Sequence, residues 1–174
     1  MSDKIIRKIA VIFVTDVVSF SKLMERDEDQ TLQSFRACKS ILDNLFEEHS
    51  GRIFNTAGDS VLAEFPSAVS AVICAAEVQK LVKERNASVE PLAEMHFRVG
   101  LNMGDVIVEG HNLYGDGVNV AARLEALSQP DGVCLSKSIH DFVSQKVDLA
   151  FKDLGDQKVK NTIVHAFDMT LEGM

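Results

Sequence analysis

The side chains of this sequence that could do chemistry are two aspartates and an amide–guanidinium pair. The stretch RIFNTAGDSVLAEF, Arg52 to Phe65, reads as a hairpin. Arg52–Asn55 forms one arm, Val61–Phe65 the other, and Gly58-Asp59 the bend. A second carboxylate, Asp16, ends the apolar run Ile9–Val14, which has the character of a central strand covered on both faces. If these strands are neighbours, Asp16 and Asp59 project from one edge of a sheet. Two carboxylates a few ångströms apart repel and raise each other's pKa. A shared cation, above all a pair of Mg²⁺ ions, removes that conflict and can stabilise both oxygens of a displacement at phosphorus. The ordinary alternatives are a helix cap for Asp16 and a simple bend for Asp59.

Asn119 and Arg123 lie four residues apart in a predicted helix and share a face. Val120, Leu124 and Leu127 are assigned to the core side, so this face is either solvated or functional. An amide and a guanidinium on one rigid turn suit phosphoryl transfer. The amide orients a sugar, and the arginine neutralises charge developing on phosphate.

The elements that must position these groups follow from periodicity. Asp27–Ser50 reads as a helix, with Leu32, Phe35, Cys38, Leu42, Leu45 and Phe46 on one side and Gly51 as its stop. Pro66-Ser67 opens a second helix. HFRVGLNMG alternates as a strand, DVIVEG is a further strand, and GDGVNVAARLEALSQ opens the helix of Asn119 and Arg123. A strand at Gly132–Leu135, a helix near Ser138–Ser144 and strands around Phe151 and Val164 complete the chain. The tight hairpin excludes a doubly wound parallel sheet. The order β-α-β-β-α-β predicts an α+β fold with a ferredoxin-like core and C-terminal additions. We expect a single domain over residues 1–174, with its core at about 8–168.

Composition narrows the function. The 174 residues carry a formal net charge of −8 and are 46% hydrophobic. A packed core is expected, and sequence-independent binding to nucleic acid or anionic membrane is not. Cys38, Cys74 and Cys134 form no CxxC pair and read as reduced core residues in a cytoplasmic protein. The five histidines form no HExxH, so no zinc site is expected. The N-terminal apolar run is too short for a signal or a membrane anchor.

Four stretches together resemble the class III nucleotidyl cyclases, the adenylate and guanylate cyclase catalytic domains. AVIFVTDVVSFSKL resembles the first strand, with Asp16 and the Val17 carbonyl in the first metal position. NTAGDSVLAEF resembles the hairpin with the second metal aspartate, Asp59. YGDGVNVAARLE resembles the helix with the transition-state pair Asn119 and Arg123. FKDLGDQKVKN resembles the C-terminal strands, with Lys160 as the phosphate-binding lysine. The resemblance implies conversion of a nucleoside triphosphate to its 3′,5′-cyclic monophosphate and pyrophosphate with two divalent cations, Mg²⁺ or Mn²⁺. It implies an anion site at the backbone of Ser19 and Phe20. It also implies a head-to-tail homodimer in which the metals come from one chain and Asn119, Arg123 and Lys160 from the other.

The sequence departs from the family pattern where the purine is read. Adenylate cyclases usually carry lysine and aspartate at positions 55 and 112, and guanylate cyclases typically carry glutamate at the first. Here both are amides, Asn55 and Asn112. An amide donates and accepts, so it pairs with adenine and can also donate to guanine O6. With no carboxylate facing the base, ATP is favoured with weakened discrimination. A guanylate or dual-specificity cyclase, or a non-catalytic nucleotide-binding dimer, is the alternative. Ser19 replaces a common glycine, and Asp105 stands where some members have arginine. The hairpin lacks the Gly-Gly-Asp/Glu-Glu-Phe of diguanylate cyclases. The chain has no GKS or GKT, and GDGVNV lacks the third glycine of a dinucleotide fingerprint.

Overall fold

The computed structural model describes residues 5–171. Strand β1 (Ile6–Val17) runs through the middle of the molecule. Its apolar run is continuous because both faces are covered. Val11 and Phe13 point into one core cluster, and Ala10, Ile12 and Val14 into another. A short helix α1 (Phe20–Arg26) follows, then α2 (Glu28–Glu48). Asp27 caps α2 by accepting from Gln30 N at 3.0 Å. The hairpin β2 (Arg52–Ala57) and β3 (Ser60–Phe65) forms as predicted. Ser67 caps α3 (Ala68–Ala87) in the same way as Asp27 caps α2. After a 3₁₀ turn at Pro91–Ala93 come β4 (Phe97–Glu109), β5 (Asn112–Tyr114) and α4 (Asp116–Leu127). The chain closes with β6 (Val133–Ser136), α5 (Lys137–Val143) and the hairpin β7 (Ala150–Val159) and β8 (Thr162–Thr170).

The sheet order is β2-β3-β1-β4-β6-β8-β7, with β5 added to β4. Its first four strands give the ferredoxin-like order, and β6 to β8 extend it. Helices α2 and α3 cover one face, where Phe13, Phe46 and Phe65 meet at centroid separations of 5.0 to 5.5 Å. Helix α4 covers the other.

Three local expectations are corrected. HFRVGLNMG and DVIVEG are one strand, β4, because Gly104 stays in register opposite Ala10 and does not break the ladder. Helix α1 and strand β5 were not anticipated. The buried stripe of α4 is Val118, Ala121, Leu124 and Glu125, while Val120 and Leu127 are only partly buried. Helix α4 lies directly on the sheet. A Cβ on Gly100 would come within 2.3 Å of the Glu125 nitrogen and 2.4 Å of the Ala121 oxygen, so only glycine fits there.

Candidate active site

The end of β1 and the hairpin turn are tied together. The backbone N–H of Val17 donates to Asp59 Oδ2 at 2.8 Å, so Asp16 and Asp59 meet at one sheet edge. Gly58 adopts φ +59°, which lets the two-residue turn present Asp59 toward β1. Burial pushes the Asp59 carboxyl up. Backbone hydrogen bonds from Val17 and from Asp59 itself oppose that, and the Asp16 charge adds to it. Across the ladder from Asp16 stands Arg98, with its Nε 4.0 Å from Asp16 Oδ1. It is the nearby counter-charge.

A third carboxylate lies beneath. Glu125 of α4 is only 6% exposed. Burial first, and then the neighbouring Asp16, push it up to about 9, so it holds a proton at neutral pH. Glu125 Oε1, Asp16 Oδ1 and Arg98 Nε are all buried without a hydrogen-bond partner among the described residues. A proton on Glu125 makes it a donor toward Asp16 and offsets part of this deficit. The remainder suits a hard cation: clustered oxygens in excess of positive charge, with an orphaned lone pair on Asp16.

A second constellation forms on α4. Asn119, Ala122, Arg123 and Ala126 line a recess of about 160 Å³, closed by Val159 and Lys160 from the β7–β8 hairpin. The structure thus brings Lys160 to Asn119 and Arg123 within one chain. It does not bring these three to Asp16 and Asp59. Ala121 and Glu125 face the sheet and the carboxylates. Asn119 and Arg123, each two residues away from one of them, are turned by about 200° to the opposite side of the helix.

Asn55 is exposed on β2, beside a bulge between Ile53 and Asn55. Asn112 begins β5, which touches β2, and Arg52 Nη1 donates to the His111 carbonyl at 2.6 Å. The two amides therefore sit on adjoining elements. Asn112 is locally engaged: its Nδ2 donates to the Tyr114 hydroxyl at 3.0 Å, and its Oδ1 accepts from Leu113 N at 2.9 Å. Ser19 precedes α1 in the left-handed conformation at φ +57°, with no side-chain cap. Phe20 packs edge-on against Phe35 at 5.7 Å. Asp105 is held by Arg7 at 3.0 Å.

Sequence reasoning missed Arg98 and Glu125. The signal for Glu125 was its position one turn after Ala121 on the stripe begun by Val118. Arg98 required the cross-strand register. The histidines contribute one cluster. Glu48, His49 and Glu77 lie close together where the C-terminus of α2 meets the middle of α3, and His49 Nε2 meets Glu77 Oε2 at 2.9 Å. Among the described residues, no helix is long and apolar enough to cross a membrane.

Residues 1–170 match the family model of the adenylate and guanylate cyclase catalytic domain. The chain belongs to this family, as the four motifs implied. A Rhizobium meliloti (strain 1021) protein carried under the provisional name adenylate cyclase 3 is 46% identical over 160 residues, covering 91% of this chain and 27% of that protein. This chain thus spans about a quarter of that relative's length. The crystal structure of an adenylate/guanylate cyclase/hydrolase from Silicibacter pomeroyi aligns with a TM-score of 0.88 at 34% identity, over 95% of this chain and 98% of that one. The adenylyl cyclase CyaB from P. aeruginosa shares the fold, with a TM-score of 0.82 at 21% identity over 96% of each chain.

Proposed function

We propose that this domain is an adenylate cyclase, which closes ATP to 3′,5′-cyclic AMP and releases pyrophosphate. The observation that carries this reading is the Asp16–Asp59 junction, with its buried orphan oxygen on Asp16 and its excess of carboxylates. Asp16, Asp59 and the Val17 carbonyl would hold a pair of Mg²⁺ or Mn²⁺ ions. Those ions, when bound, lower the pKa of the ribose 3′-hydroxyl and neutralise the triphosphate. The 3′-oxygen bonds to the α-phosphorus, the bond to the pyrophosphate oxygen breaks, and the hydroxyl proton passes to solvent.

The opposite placement of the two constellations on α4 supports a head-to-tail homodimer. Asp16 and Asp59 of one chain face Asn119 and Arg123 of the partner subunit. Asn119 orients the ribose and Arg123 stabilises the charge on the α-phosphate. Lys160 holds the phosphate tail, and the backbone at Ser19 and Phe20 adds N–H donors. Asn55 and Asn112 face the base. Because both are amides, which accept as readily as they donate, use of both ATP and GTP is the second reading.

The test is product analysis. Pure protein is incubated with Mn²⁺ and either ATP or GTP, and the product is identified chromatographically. Cyclic AMP from ATP is expected, with turnover lost in Asp16→Ala and Asp59→Ala although circular dichroism is unchanged. Cyclic GMP as the main product would overturn the substrate assignment. Turnover by both variants at the wild-type rate would overturn the site.

A further inference from the structure

One cavity belongs to neither constellation. It measures about 710 Å³ and lies between α3, the start of β4, the turn before β6 and the end of β8. That size suits a small molecule. Ala76, Val89, Met169 and Leu171 give it apolar walls. Lys80 and Lys83, one turn apart on α3, stand exposed at its edge, with no carboxylate in ion-pair reach among the described residues. The acids of the same cavity, Glu94 and Asp131, flank His96 on the wall across from α3, at 3.7 and 2.8 Å. The two lysines thus form a positive edge on α3, beyond ion-pair reach of these two acids, on a protein of net charge −8.

Gln79 supplies the polar floor and is 5% exposed. Its Nε2 donates to the carbonyls of Phe97 at 3.0 Å and Gly132 at 2.8 Å. Its Oε1 is buried with no donor among the described residues. We propose that this cavity binds an amphipathic organic anion, a carboxylate or sulfonate on an apolar body, and that its occupancy is transmitted to the loop after Asp16. The route is short. The carbonyl of His96, a wall residue, accepts from Val18 N at 2.8 Å, and Phe97 and Arg98 pair directly with Val17 and Asp16.

The probe is 8-anilinonaphthalene-1-sulfonate, an apolar anion with one N–H, titrated by fluorescence against the intact protein. Saturable binding at one site per chain is expected, with displacement by decanoate. Lys80→Glu combined with Lys83→Glu, both at exposed positions, should weaken binding about tenfold or more through loss of charge-assisted contacts. Ala87→Trp, at the exposed rim, should block entry. Equal affinity in wild type and both variants, or displacement by ATP and not by decanoate, would overturn the site. Amide hydrogen exchange at Val18 should slow when the probe is bound. An unchanged rate at saturation would overturn the transmission.

Discussion

Glu125→Gln removes a titration while keeping a hydrogen-bond donor beside Asp16. In the folded protein Glu125 stays protonated up to about 9, whereas in the unfolded chain it ionises near its ordinary 4.5. Folding at neutral pH must therefore take up a proton. The gap between 4.5 and pH 7, at about 1.4 kcal/mol per unit, makes this cost about 3 kcal/mol. The sign follows from the raised folded-state value. The contribution of Glu125 is intact below pH 4.5 and is lost as pH rises toward 9. A glutamine side chain cannot ionise in either state, so the variant should be the more stable protein at pH 7, by up to about 3 kcal/mol. Near pH 5 the difference should shrink below about 1 kcal/mol, and above pH 7 it should widen by about 1.4 kcal/mol per pH unit. Urea denaturation at pH 5, 7 and 8.5, without divalent metal and at one fixed protein concentration, measures this directly. Parallel stability profiles for the two proteins would show that Glu125 does not hold a proton against Asp16.

Three other outcomes are expected. Asp59→Ala and Arg123→Ala chains, each inactive alone, should recover about one quarter of wild-type activity when mixed equally, because about half the dimers are mixed and each of these has one intact site. No recovery despite demonstrated subunit exchange would refute the shared site. Asn55→Lys with Asn112→Asp should raise the ATP/GTP ratio of kcat/KM by about 5- to 150-fold, the value of one well-oriented base contact; an unchanged ratio would remove both residues from the purine site. Ser19→Gly should stabilise the fold by about 1 kcal/mol, since Ser19 bears a left-handed backbone. A lower melting midpoint would show that its side chain matters more than its φ.

The sequence carried the carboxylate pair well. The apolar run ending at Asp16 and the Gly58-Asp59 bend are local signals, and the hairpin puts their strands side by side. Asn119 and Arg123 were equally legible, because helical spacing alone sets their common face. Other parts had no local signal. Phe20–Arg26 buries no residue, so it has no stripe to betray a helix. Asn112–Tyr114 is too short for any period to show. DVIVEG was separated from HFRVGLNMG by Gly104, which in the fold stays in the ladder opposite Ala10. Glu125 was hidden by its charge, since a glutamate on an apolar stripe makes sense only once Asp16 lies above it. Lys160 reaches Asn119 through a hairpin returning from the far side of the sheet, which only the family resemblance suggested.

The missing side chain at Gly100 has a mechanical meaning. A hinge needs a seam that can slip, and the seam between α4 and β4 is backbone against backbone. The carboxylates at one surface of this seam and the Asn119–Arg123 recess at the other are the two ends of a stiff bar. Bending at the α4–β4 seam therefore offers little adjustment of the reaction. In the proposed dimer, two such bars lie side by side in opposite directions, and each reaction centre is the gap between the head of one and the tail of the other. Turning one protomer slightly against its neighbour opens or closes both gaps in step. Any input that grips the outside of the chains can thus set the rate without touching a residue of the site.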